Sequence, residues 1–162
     1  MRIALAVMAT LALAACDKPA PKPGGAARIV TLTPSATELV AALGAADALV
    51  GVDEYSTYPP AVAALPKVGS FVAPNFEAIV ALRPTLVVAD DIHDDAAAAL
   101  TSAGVPVVRL PMHALPDVEG ALTTLGERLG RPAEAAARRA EIAAAKAAAG
   151  KRRVGHGHAV LI

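Results

Sequence analysis

The chain has 162 residues, with 15 basic against 15 acidic side chains and a formal net charge of zero. That balance supplies no field for a nucleic acid or an acidic polymer, and neither is expected as a partner. Aromatic residues make up 2% of the chain and are Tyr55, Tyr58, Phe71 and Phe76, so the core must be Ala, Val and Leu, and no base-stacking platform can be assembled.

Met1-Arg2 precedes an unbroken small and apolar run, Ile3 to Ala12, and then Leu13-Ala14-Ala15-Cys16. This is the order of a secretory signal: charge, apolar stretch, small-residue cleavage site. The run is too short to span a bilayer, which takes about 20 apolar residues. Residues 1–15 therefore read as a signal peptide. Leu-Ala-Ala-Cys resembles the lipobox of bacterial lipoproteins, in which Cys16 takes a diacylglycerol and anchors the mature chain to the membrane. Cys16 is the only cysteine, so no intramolecular disulfide can form. Residues 16–27 continue with Pro, Lys, Gly and Ala and no apolar periodicity, as a flexible tether would.

Folding is expected from Arg28. Ile29 to Thr33 is a β-rich run, and Pro34 opens a helix in which Ser35 and Glu38 have capping-box spacing, with Gly44 ending it. Ala48 to Val52 reads as a second strand, followed by a Pro-containing loop, Tyr55 to Pro60, and a helical turn to Leu65. Asn75 caps a helix whose Phe76, Ile79 and Val80 are expected on one buried face, ending before Pro84. Thr85 to Ala89 is apolar throughout, as a central parallel strand should be. Asp94 to Ala103 is a helix closed by Gly104, Val105 to Leu110 a strand, and Pro116 to Leu129 a helix. This order predicts an α/β lobe over residues 28–130, a parallel sheet with flanking helices. Pro132 to Ala149 follows as an Ala-rich helix with a Glu134–Arg138 pair at i,i+4, ended by Gly150. Few large apolar residues lie on it, so fraying is expected over Ala143 to Gly150.

The sequence contains no Gly-x-Ser-x-Gly, no phosphate-binding glycine loop and no His-Glu-x-x-His, and the chain is not read as an enzyme. Ser35 is accounted for by capping. His93 lies among Asp90, Asp91, Asp94 and Asp95; these acids could hold a metal, but a strand end feeding a helix N-terminus explains them as well, and no metal site is assigned. His113 reads as isolated. His156-Gly157-His158 could chelate, but stands in a terminal segment with no anchoring partner. Glu77 reads as an acid favoured by the dipole of its helix. Tyr55 and Phe71 lie in loops, where ligand contact and loop packing are both open.

Several blocks in fixed order carry a further likeness: RIVTLTPSATELVAALG, VGVDEYSTYPP, and LPKVGSFVAPNFEAIVALRPTLVVADD. Together they resemble the N-terminal lobe of the periplasmic binding proteins that feed ABC importers, in the class with a helical backbone that serves vitamin B12, haem and ferric siderophores. VGVDEYSTYPP and PNFEAIVALRP are most similar to the cobalamin-binding members; Thr85 stands where those proteins usually carry Asp. The resemblance implies two α/β lobes joined by one long helix, here residues 131–150, with the ligand in the cleft between them. It implies ligand contact by Pro34, Ser35, Tyr55 and Phe71, and docking of Glu77 on arginines of the membrane permease. No resident cofactor is implied, since the cargo is itself a metal chelate: cobalamin first, then haem or a ferric siderophore. The implied protein is a monomer, lipid-anchored on the periplasmic face of the inner membrane or on the outer face of the cell membrane. Residues 151–162 read as the truncated start of a second lobe: Arg153-Val154 resembles the beginning of its first strand, but GHGHAVLI does not continue in the family's manner, so a product truncated to one lobe is expected. Alternatives are a metal-dependent periplasmic enzyme and a fragment without function.

Overall fold

The structure is a computed structural model that describes residues 27–152. The signal segment, Cys16, most of the tether and His156-Gly157-His158 lie outside the described residues. In chain order the elements are β1 (Ile29–Thr31), α1 (Pro34–Ala42), β2 (Leu49–Gly51), β3 (Gly69–Ser70), β4 (Ala73–Pro74), α2 (Phe76–Ala81), β5 (Leu86–Asp90), α3 (Asp94–Ser102), β6 (Val107–Leu110), α4 (Leu115–Arg128) and α5 (Pro132–Arg152).

β2, β1, β5 and β6 form one sheet in that order, every neighbouring pair parallel. The expected α/β architecture is therefore present. All of β5 is buried, because helices cover both faces of the sheet and a central strand has no wet side. Strand alternation sends neighbouring residues to opposite cores. Ile29, Val88, Leu122 and Leu125 pack with α1, α4 and Ala135 of α5 on one face; Val30, Val87, Ile79 and Leu100 pack with α2 and α3 on the other. β3 and β4 add a small antiparallel pair.

Five local expectations are corrected. The N-cap of α1 is Thr33, whose side chain accepts from Ala36 N–H at 3.0 Å. Pro34 occupies the first helical turn, where its missing N–H costs nothing, so the cap falls before it and Ser35 is left exposed. In α2 the buried residue is Ile79, supported by half-buried Ala78 and Leu82, while Phe76 and Val80 face outward. A six-residue helix on the sheet face has room for one narrow stripe, and it lies one position round from the expected one. β6 starts two residues later than Val105, at Val107, after the turn that leaves α3. α5 continues through Gly150 to Arg152. Glycine ends a helix by adopting positive φ, as Gly44, Gly104 and Gly130 do; Gly150 does not. Finally, Arg138 pairs with Glu141 at 2.8 Å and Glu134 with Arg131 at 3.3 Å, both at i,i+3, in place of Glu134–Arg138.

Candidate ligand-binding site

A parallel sheet directs the C-terminal ends of its strands, and the loops that follow them, to one edge of the molecule, where α/β proteins hold their ligands. Here the loops are those after Thr31, Gly51, Asp90 and Leu110. The loop after β1 runs directly into α1 and presents Pro34, half-buried, and Ser35, exposed.

The loop after β2 is held by a buried polar ladder. Thr31 and Thr37 share a hydrogen bond of 2.6 Å between their hydroxyls, Thr37 and Ser56 one of 2.7 Å, and Ser56 donates a short bond to the Asp53 carboxylate. All four residues are at most 1% exposed. Lys67 Nζ donates to the Ser56 carbonyl at 2.7 Å, and the second Asp53 oxygen accepts from Tyr55 N–H at 3.0 Å. On this fixed base Tyr55 and Tyr58 stand out, 65% and 64% exposed. Neighbouring Glu54 raises the Tyr55 phenol above its ordinary value, first through a side-chain hydrogen bond and then through its charge.

Pro34, Ser35, Tyr58 and Pro59 form one side of a groove of about 780 Å³; Val118 and Leu122 of α4 and Arg138 and Ile142 of α5 form the other. That size suits a small-molecule ligand. Tyr55 and Phe71 do not line it. Tyr58 was not singled out from the sequence, although it shares its loop with Tyr55; an aromatic beside a proline in a strand-end loop was the available signal.

Phe71 sits at the turn between β3 and β4, half-buried, in edge-to-face contact with His93 at 5.0 Å between ring centroids. His93 is 6% exposed; its Nδ1 accepts from Asp90 N–H at 3.2 Å and its Nε2 donates to the Phe71 carbonyl at 2.7 Å. Both ring nitrogens are thus committed to the backbone, and His93 clamps the Phe71 turn to the end of β5. The cluster expected around His93 is assembled differently: Asp94 pairs with Arg109, and the imidazole that meets the acids is that of His113, not isolated as the sequence suggested. His113 Nε2 lies 2.7 Å from Asp91 Oδ1 and 3.2 Å from Asp90 Oδ1. The bond to Asp91 and the charge of Asp90 raise the His113 pKa; the same bond lowers that of Asp91, while burial and the Asp91 carboxyl raise that of Asp90. Glu77 is exposed in the first turn of α2, beneath the Asn75 cap, with exposed Phe76 and Val80 on the same helix.

Residues 29–154 match the family described as periplasmic binding protein. The chain belongs to the periplasmic binding protein family. Among curated family relatives, the vitamin B12-binding protein of Pectobacterium carotovorum is 32% identical over 110 residues, 67% of this chain and 40% of the relative. That of Vibrio cholerae serotype O1 is 46% identical over 68 residues, 42% of this chain and 25% of the relative. Among solved structures, the apo periplasmic haem-binding protein RhuT of Roseiflexus sp. RS-1 superposes with a TM-score of 0.70 at 34% identity, covering 81% of this chain and 52% of that one. The vitamin B12-binding protein BtuF of Vibrio cholerae gives 0.62 at 31%, covering 67% and 43%. The chain thus spans about half or less of the family members it matches.

Proposed function

We propose that this lobe belongs to the capture machinery of an ABC importer, taking a cobalamin-type metal chelate on the edge formed by the strand ends. The observation that carries the reading is the pair Tyr55 and Tyr58. In a chain almost without aromatics, two phenol rings stand exposed on a loop fixed by a buried polar ladder. Rigid aromatic surface of this kind suits the flat apolar face of a corrin or porphyrin, giving contact area at little entropy cost. Phe71, clamped by His93, would add a third ring, and Pro34 and Ser35 would contact the rim. The identity to vitamin B12-binding proteins supports cobalamin first; the 34% identity to a haem-binding structure supports haem as the second reading.

In this proposal α5 is the helix that leads from this lobe towards a second one, and Glu77 meets permease arginines through charge-assisted hydrogen bonds. Lipidation of Cys16 would hold the receptor at the periplasmic face of the membrane as a monomer near its permease.

The test is a titration of the purified chain with cyanocobalamin, haemin and a ferric hydroxamate. Saturable binding of cyanocobalamin, weakened about tenfold by Tyr55→Ala, supports the reading, since burying a large side chain stabilises by roughly 1.5–3 kcal/mol. Tighter binding of haemin would move the assignment to haem. Absence of binding to all three would overturn it.

A further inference from the structure

We propose that Asp90, Asp91 and His113 form a binding site for a first-row divalent cation, with Zn²⁺ the best match. β5 and β6 are paired so that Asp90 lies opposite Leu110, and the sheet itself therefore brings the loop carrying His113 to the two acids. One donor atom from each side chain lies within 4.8 Å of the others. Asp90 is the decisive member. It is 4% exposed, and its Oδ1 accepts a long bond of 3.3 Å from Ile92 N–H and lies 3.2 Å from His113 Nε2. A buried carboxylate aimed at a second carboxylate needs a proton or a cation between them.

Charge decides which cation. Protonated His113 against two carboxylates leaves one negative charge, whereas a divalent ion with neutral imidazole leaves none. Arg109 does not supply the difference: its guanidinium pairs with Asp94 and reaches Asp91 only at the backbone carbonyl, at 3.4 Å. One imidazole nitrogen with carboxylate oxygens suits Zn²⁺, Co²⁺ or Ni²⁺; Ca²⁺ takes six to eight oxygens. Tetrahedral zinc with bonds of about 2.0–2.2 Å sets its ligand atoms about 3.4 Å apart, so the present 2.7 Å contact must open by about 0.7 Å and the 3.2 Å contact by about 0.2 Å, which half-exposed His113 and Asp91 can do. Three protein ligands leave a coordination position open. His93 holds the Asp90 backbone from behind and is not a ligand.

The inference does not depend on the cargo, and its test uses none. In the full chain carrying His156→Ala and His158→Ala, which removes the terminal imidazoles, Zn²⁺ is titrated by calorimetry and Co²⁺ by visible absorption. One ion per chain is expected, with affinity reduced roughly tenfold or more by His113→Ala and by Asp91→Asn, and with unchanged far-UV circular dichroism. Should His113→Ala misfold, Asp91→Asn decides, since that side chain is 45% exposed. No binding by the parent, or equal binding by a folded Asp91→Asn chain, would overturn the assignment.

Discussion

Thr33 and Ser35 are two hydroxyls two residues apart, and only one of them caps α1. Thr33→Ala should cost about 1 kcal/mol in chemical denaturation, whereas Ser35→Ala should change stability by less than about 0.5 kcal/mol. The capping-box spacing of Ser35 and Glu38 was legible and misleading, because the position of Pro34 in the first turn outweighs a side-chain pattern. His113 gives the second residue-scale prediction. Its folded pKa lies above the unfolded value of about 6.5, so its contribution to stability is complete below that pH and disappears as pH rises through the folded pKa. Asp91 behaves oppositely: its lowered pKa gives stability present above the unfolded carboxyl value and lost in acid. The melting temperature of the parent should therefore fall on going from mildly acidic to mildly alkaline pH, and that component should vanish in His113→Ala. An unchanged slope in the variant would refute the assignment.

At the scale of elements, α4 and α5 meet through Gly126, where an added Cβ would come within 2.6 Å of Ala135 Cβ and 3.1 Å of the Arg131 carbonyl. Gly126→Ala should therefore destabilise by about 1–3 kcal/mol despite its better helix propensity, a sign that denaturant melts can check. Beyond that junction α5 packs lightly: Ala135 is buried, Ile142 half-buried, and residues 143–150 are exposed, with Lys146 reaching Glu119 of α4 at 3.2 Å. Hydrogen exchange should be slow near Ala135 and fast after Ile142; uniform protection to Gly150 would contradict this. The sequence showed this light packing through its alanine content. It did not show where the helix ends, since Gly150 carries a stop signal in composition but not in backbone conformation.

At the scale of the whole molecule, the alternation of apolar runs with glycine-ended helices was sufficient for a parallel α/β lobe. The order of strands was not, because it depends on which runs pair across long stretches of chain. That order decides the site. β5 lies between β1 and β6, so Asp90 meets His113 from the far side of α3, and no local spacing reveals the encounter. Tyr55 and Phe71 were readable as loop aromatics; the His93 clamp beneath Phe71 was not, since a histidine among four aspartates suggests solvent or metal before it suggests a buried brace. Leu125, on the core face shared by α1 and α4, lies at the centre of this packing, and Leu125→Ala should lower stability by about 2–5 kcal/mol in urea unfolding.

The ladder of Thr31, Thr37, Ser56 and Asp53 has a consequence for engineering. The tyrosine loop cannot be exchanged between relatives as a surface patch, because its orientation is written in the strand and helix beneath it. A transplanted Tyr55–Tyr58 segment would need Thr31 and Thr37 transferred with it, or the rings would arrive without the support that aims them.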